Sequence, residues 1–323
     1  MPNPIVLLIT LAATVATHSV AAPRAHAAAH AAPVPAIHPA TAAHLAAPFA
    51  DSLRSAYLKD RADTEEWLKS KPTSYLAAIA RLDFGDKRTL IVGREAACDV
   101  RIDDPELAAR HLSVTVQGDS FRVQALDDTA HFAAGDAVRR EATLGPSAIR
   151  IGRFTLRLSH QRFPAIIVFD PRSPGFARYH GLHWFPADFA YRFELPLTPN
   201  PRPDTVIILS TRGNQRRALR VGWFDFEVSG TPCRLEATRL LEPGVGDNDF
   251  GVFFRDATSG HESYALGRYV DIEKASEGRY VLDFNACYNP ACAVSDHYNC
   301  PIPPRENRLK VAIRAGEMDS HYH

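Results

Sequence analysis

From Asp51 to Lys69 the chain reads DSLRSAYLKDRADTEEWLK. Leu53, Ala56, Tyr57, Thr64, Trp67 and Leu68 recur there near helical spacing, with charges between them. Asp51 or Ser52 suits the N-cap and Lys71-Pro72 stops the run, so the pattern predicts one N-terminal helix over 49–70. Beyond it the period falls to two. Short β-branched and aromatic runs alternate with turn residues, predicting strands at 74–81, 89–93, 112–117, 121–125, 154–159 and 166–169. A second series follows at 191–195, 206–210, 217–221, 224–228, 251–255, 269–272 and 280–283. No helical segments alternate with these strands, which argues against a doubly wound sheet and for sandwiches or barrels. The fold class expected is mainly β. A β-sandwich at 71–172 precedes a second β-rich domain at 173–318, with the Pro-rich stretch Asp170 to Pro174 as the boundary.

The first fifty residues have a different pattern. Ile5 to Ala16 is an apolar run of signal-peptide length, too short to span a bilayer, and Ser19-Val20-Ala21 supplies small residues for cleavage. Residues 1–21 are therefore expected to be a signal peptide, with Ala25-His26-Ala27 as a second cleavage site. Residues 22–48 are nearly all Ala, Pro and His, and five prolines break any helix. Such a tract buries too little side chain to offset its ordering entropy, so it is expected to be a disordered linker. Five of the fourteen histidines lie in or near it at irregular spacing, which suits compositional drift better than a metal site. The expected location is periplasmic or secreted.

Lys plus Arg and Asp plus Glu both number 37, so the formal charge is zero. No nucleic-acid partner is expected from that balance. No membrane association is expected after signal cleavage, and no cofactor is implied. Apolar residues make up 46% and charged residues 23%, enough for a substantial core.

Within 91–128, Gly93-Arg94, Asp99, Ile102 and His111 fall at the spacing of a forkhead-associated domain, which this stretch resembles. That family holds phosphate with a Ser hydroxyl and an Arg guanidinium. Here the Ser position is Ala108 and the next is Ala109, with Arg110 one place late. Ala130-His131-Phe132 stands where the family has Asn-Gly-Thr. The resemblance therefore implies the scaffold without the phosphate site. No phosphopeptide partner is expected, and His111 is expected to bond to backbone.

Further on, six segments occur in order. They are Phe254-x-Asp256-x-Thr258-Ser259-Gly260, Tyr264-x-x-Gly267-Arg268, Asp283-Phe284-Asn285, Asn289-Pro290-x-Cys292-Ala293, Cys300-Pro301-x-Pro303-Pro304-x-x-Asn307-x-Leu309 and Ala315-Gly316-Glu317. Together these resemble the bacterial family known as domain of unknown function 1684, over about residues 52–318. The resemblance implies membership and a β-rich architecture, and no activity.

The candidate chemistry has to be read from the residues themselves. Asp256, Ser259, His261, Glu306 and Glu317 are the catalytic candidates. Arg268, Asn285 and Asn307 are the ligand-binding candidates. Ser259, His261 and Asp256 supply a nucleophile, base and orienter in name, but no G-x-S-x-G elbow accompanies them. Turn chemistry explains them equally: Thr258-Ser259-Gly260 suits a tight turn, with Asp256 capping its amides. Glu306 and Glu317 suit pairing with Arg268 or Arg308. Cys287, Cys292, Cys300 and His297 lie close together, at spacings foreign to standard zinc sites, so no metal is expected. In an exported chain the expectation is a Cys292–Cys300 disulfide closing a Pro-anchored loop, with Cys233 available to Cys287 and Cys98 left over. The leading expectation is an exported, non-enzymatic binding or structural module of unknown ligand. The alternatives are a hydrolase using Asp256, His261, Glu306 and Glu317 in one cleft, or a metal-binding protein using Cys292, Cys300 and His297.

Overall fold

A computed structural model describes residues 47–202 and 204–322. The expected signal peptide and the Ala/Pro/His tract as far as residue 46 lie outside the described residues. Helix α1 (Ala47–Ser70) starts two residues before the expected point. Its buried stripe is Ala50, Tyr57, Thr64 and Leu68, at seven- and four-residue intervals.

Eleven strands follow: β1 (Ala78–Asp83), β2 (Thr89–Gly93), β3 (Val100–Arg101), β4 (Leu112–Gln117), β5 (Ser120–Ala125), β6 (Phe132–Ala134), β7 (Ala137–Arg139), β8 (Glu141–Leu144), β9 (Ser147–Ile151), β10 (Phe154–His160) and β11 (Pro164–Phe169). They form a five-stranded sheet, β3-β2-β4-β5-β8, and a six-stranded sheet, β1-β11-β10-β9-β6-β7. Leu90, Val92, Leu112, Val114, Phe121 and Val123 face Ile149, Ile151, Leu156, Leu158, Ile166 and Val168 in one shared core. Each pair alternates along its strand, as a half-buried strand requires. Gly93 is needed because a Cβ there would lie 2.4 Å from the Ala109 carbonyl oxygen. The expected β-sandwich is thus present. Strand β11 is buried on both faces, because Ile167 and Phe169 point away from the sandwich core.

After the short helix α2 (Pro174–Arg178) come β12 (Arg192–Pro196), β13 (Thr198–Pro199), β14 (Thr205–Leu209), β15 (Gln215–Val228), β16 (Thr231–Leu240), β17 (Gly251–Phe254), β18 (Arg268–Asp271), β19 (Glu273–Ser276) and β20 (Arg279–Asp283). One sheet runs β12-β20-β19 and another runs β13-β15-β16-β17-β18, with β14 also pairing β15. The two strands expected at 217–221 and 224–228 are one strand, β15, bulged between Arg220 and Gly222. Gly222 lets β13 approach β15 closely, because a Cβ there would lie 2.3 Å from the Thr198 carbonyl oxygen. Phe193, Phe224, Phe226, Phe254, Leu282 and Phe284 lead the second core.

Several contacts join the halves, among them Arg162 Nε donating to the Leu241 carbonyl at 3.1 Å. Ile167 and Phe169 share a buried cluster with Cys292, Tyr298 and Cys300. Arg212 Nε donates to Asp83 Oδ2 at 2.8 Å. Helix α1 is tied down where the Tyr57 hydroxyl donates to Asp283 Oδ2 and Glu65 Oε1 accepts the Leu182 amide at 2.7 Å.

Candidate functional site

Among the described residues, Arg268 and Asp256 are the most deeply placed ion pair. Both side chains have 0% exposure, with Arg268 Nη2 3.3 Å from Asp256 Oδ1. Arg268 also donates to the carbonyls of Ala315 at 2.6 Å and Ile313 at 2.8 Å. Asp256 accepts from Thr258 Oγ1, Ser259 Oγ and the Ile313 amide. The pair therefore clasps the C-terminal segment 313–317 to β18. The Asp256 carbonyl accepts the Ser259 amide at 3.1 Å, capping the turn as expected, while its carboxylate takes the turn's hydroxyls and a distant amide. Arg268 forms an ion pair with Asp256 and also donates to the Glu317 carbonyl at 3.3 Å.

The asparagines behave alike. Asn307 Oδ1 accepts the Glu236 amide at 2.7 Å, and its Nδ2 donates to the carbonyls of Glu236 and Phe253, both at 2.9 Å. Asn285 binds the Asp188 amide and carbonyl and Asp283 Oδ1. Their hydrogen bonds go to the protein's own backbone and carboxylates. His261 and Glu306 are exposed, and Glu306 lies in the field of Glu236 and Arg220 on another part of the domain. Asp256, His261, Glu306 and Glu317 thus do not converge on one cleft. Among the described residues no group of three or more His, Cys, Asp or Glu is placed to hold a metal, His297 with Cys292 and Cys300 included.

All five cysteines are thiols in the structure. The Cys292 amide donates to Cys300 Sγ at 3.3 Å, and the Tyr264 hydroxyl reaches Cys292 Sγ at 3.8 Å. Hydrogen bonding from Cys300 holds the Cys292 thiol below its ordinary pKa, while that same contact and burial push Cys300 well above it. Burial pushes Cys287 up to about 11.

In the sandwich, His111 Nδ1 accepts the Ala108 amide at 3.2 Å, and Nε2 lies 3.0 Å from the His131 carbonyl oxygen. This histidine is spent on backbone, as the sequence predicts. Ala108 and Ala109 offer no side-chain hydrogen bond beside it.

Another place gathers polar and aromatic groups without spending them all. A half-open recess of about 390 Å³, its mouth included, lies between α1 and the Cys-rich loop. Thr64, Trp67 and Leu68 come from α1, and Tyr75 from the turn before β1. Leu182 and Trp184 follow α2, while Tyr288, Asn289, Pro290 and Val294 come from the loop, and Glu317 from the C-terminal segment. Trp184 forms an antiparallel bridge with Glu317. The Asn289 amide donates to Glu317 Oε2 at 2.8 Å, and Asn289 Nδ2 donates to Glu317 Oε1 at 3.0 Å and the Met318 carbonyl at 2.8 Å. Two acceptors around Nδ2 fix the orientation of the side-chain amide. They leave Asn289 Oδ1 buried with no hydrogen-bond partner in the protein, and Thr64 Oγ1 is in the same condition. Thr64 is 8% exposed and Asn289 9%. An unmatched buried polar atom costs about 1–3 kcal/mol, so two in one wall call for a physical reason.

Sequence reasoning named Glu317 and quoted Asn289-Pro290, but it missed the recess. Thr64 and Trp67 looked like ordinary helix-face residues, and no local spacing joins position 64 to 289 and 317.

Among solved structures, the solution NMR structure of an uncharacterised protein from Haloarcula marismortui is 35% identical, over 46% of this chain and 80% of its own, with a TM-score of 0.38. The FHA domain of FhaA, solved with the intracellular domain of another protein, is 22% identical over 24% of this chain and 78% of its own, with a TM-score of 0.19. A structure described for phosphothreonine-dependent FHA domain interactions gives the same identity, coverage of this chain and TM-score, over 74% of its own length. Among curated proteins none matches. Residues 177–318 match the family described as protein of unknown function DUF1684, a narrower span than the sequence reading from residue 52. Through these residues the chain belongs to that family of unknown function.

Proposed function

We propose that this protein is an exported, non-enzymatic binding module whose ligand enters the recess between α1 and the Cys-rich loop. The observation that carries the reading is the pair of buried, partnerless oxygens, Thr64 Oγ1 and Asn289 Oδ1, in a wall that is mostly aromatic and aliphatic and also holds the Glu317 carboxylate. Few convergent polar groups in an apolar concavity are what small-molecule sites present. Asp256, Asn285 and Asn307 are committed to holding the fold, which supports binding over catalysis. The sandwich serves as scaffold, since Ala108 and Ala109 lack the groups that grip phosphate.

Nuclear magnetic resonance of the indole signals tests the site. Small aromatic and aliphatic fragments are expected to move the signals of Trp67 and Trp184 while Trp223, outside the recess, stays still. Hydrolase turnover lost in the exposed-site variants His261→Ala or Glu306→Ala, with unfolding unchanged, would overturn the reading. Export is tested by the intact mass of protein secreted with its own leader. A chain starting near Ala22 supports a periplasmic or secreted location, and an uncleaved N-terminus removes it.

A further inference from the structure

We infer that the ligand of the recess is a small primary ammonium on a short apolar stem. The inference rests on the binding-module reading and names the chemistry of that site. Three features of the wall decide it. First, the two side-chain oxygens left without a partner can both accept, although the Trp67 and Trp184 indoles and the Tyr75 and Tyr288 hydroxyls bring N–H and O–H donors to the same lining. Asn289 Oδ1 and the Glu317 carboxylate accept only, and Thr64 Oγ1 can accept. The one amide donor, Asn289 Nδ2, is already used by Glu317 Oε1 and the Met318 carbonyl. Second, the carboxylate of Glu317 sits in the wall, buried at 5% exposure. The hydroxyls of Tyr75, Tyr179 and Tyr322 are raised, by burial first and with a contribution from Glu317. Third, the remaining surface comes largely from the rings of Trp67, Tyr75, Trp184 and Tyr288. Aromatic faces attract cations, Trp most strongly. Trp184 already does so, with the Arg61 guanidinium 4.7 Å from its ring centroid, although Arg61 is outside the recess wall.

Anions and neutral apolar molecules fit this wall poorly. A carboxylate would meet Glu317, and a hydrocarbon would leave both oxygens unmatched. A quaternary ammonium would satisfy the rings but has no N–H for Asn289 Oδ1 or Thr64 Oγ1. A primary ammonium has three N–H donors, and charge-assisted hydrogen bonds are the stronger kind.

The test titrates the full-length protein with n-butylammonium, tetramethylammonium, butyramide and butyrate, following the indole signals of Trp67 and Trp184. The expected result is a Kd for n-butylammonium at least about tenfold below those of the other three. Glu317→Gln is expected to weaken n-butylammonium by about tenfold or more. Because that variant disturbs Asn289, Thr64→Val is the second probe. It preserves shape, removes one acceptor, and is expected to weaken n-butylammonium several-fold while leaving tetramethylammonium unchanged. Equal or tighter binding of tetramethylammonium, butyramide or butyrate overturns the ammonium assignment and leaves the recess as a binding site. If no probe shifts either indole, the binding-module reading falls with it.

Discussion

Arg268 and Asp256 form an ion pair from which solvent is wholly excluded, and both partners also hold the backbone of Ile313. Desolvating two charges is costly, and their attraction offsets the cost only when the remaining hydrogen bonds are made. Removing one partner strands the other in the core. Asp256→Ala or Arg268→Ala is expected to lower unfolding free energy by about 3–5 kcal/mol, read by urea denaturation. The double variant is expected to lose much less than the sum, because the two act as one unit. A loss in either single variant no larger than an exposed pair gives, about 1 kcal/mol or less, would contradict the clasp.

Thr64 and Asn307 make a contrasting pair of buried polar side chains. Asn307 makes three hydrogen bonds that bind β16 and β17 to the 305–307 turn, so Asn307→Ala is expected to cost about 2 kcal/mol or more. Thr64 Oγ1 has no partner, and Thr64→Val is expected to leave stability unchanged or raise it by about 1 kcal/mol. Thermal denaturation of the two variants side by side decides this. A Thr64→Val variant as unstable as Asn307→Ala would mean that the hydroxyl is satisfied in solution and that the recess wall is wrongly described.

The contrast also shows what the sequence could reveal. Strands such as β2 and β4 were legible to the residue, because each has one face in the core and a two-residue period follows. Strand β16, ten residues long, was missed although Cys233, Leu235 and Ala237 alternate with Arg234, Glu236 and Thr238: the polar positions Arg234 and Glu236 carry charges rather than β-branched side chains, and Glu236 is buried in an ion pair with Arg220 on β15. Density of polar residues correctly marked the region 254–317 as special. It could not tell a site from a clasp, since Asp256, Asn285 and Asn307 find their partners at separations that no local spacing encodes. The recess needs α1, the 182–184 segment, the Cys-rich loop and residue 317 to meet, and that closure is a property of tertiary packing alone.

Cys292 and Cys300 sit in one buried cluster against the sandwich, linked by the Cys292 amide and the Cys300 sulfur. In protein recovered from an oxidising compartment the pair is expected to be a disulfide, read as two hydrogens missing from the intact mass. In reduced protein, Cys233, which is only partly buried, is expected to react first with iodoacetamide. Cys287 is expected to react last, since burial raises its thiol to about 11 and little thiolate forms at neutral pH. Faster alkylation of Cys287 than of Cys233 would contradict that packing.

His111 gives the fold a pH dependence whose sign follows from its two hydrogen bonds. Nδ1 must be unprotonated to accept the Ala108 amide, so the proton of the neutral ring lies on Nε2, facing the His131 carbonyl. A second proton would set two donors against each other. Burial, the main cause, lowers the pKa of His111 from 6.5, and burial lowers that of His297 as well. The unfolded chain therefore binds protons below 6.5 that the folded chain refuses. Stability from these groups is complete above that value and declines as pH falls toward the folded pKa. Asp83, Asp99 and Asp170, held low despite the cost of burial by their hydrogen bonds and ion pairs, lose their contribution only at more acidic pH. Glu236, raised by burial, acts with the opposite sign just above its ordinary 4.5, so the comparison must be with a variant. The denaturant midpoint of the native chain is expected to fall between about pH 7.5 and pH 5.5, and to fall less in His111→Gln. An equal fall in both proteins would show that His111 titrates alike folded and unfolded, and that its bond from the Ala108 amide is absent in solution.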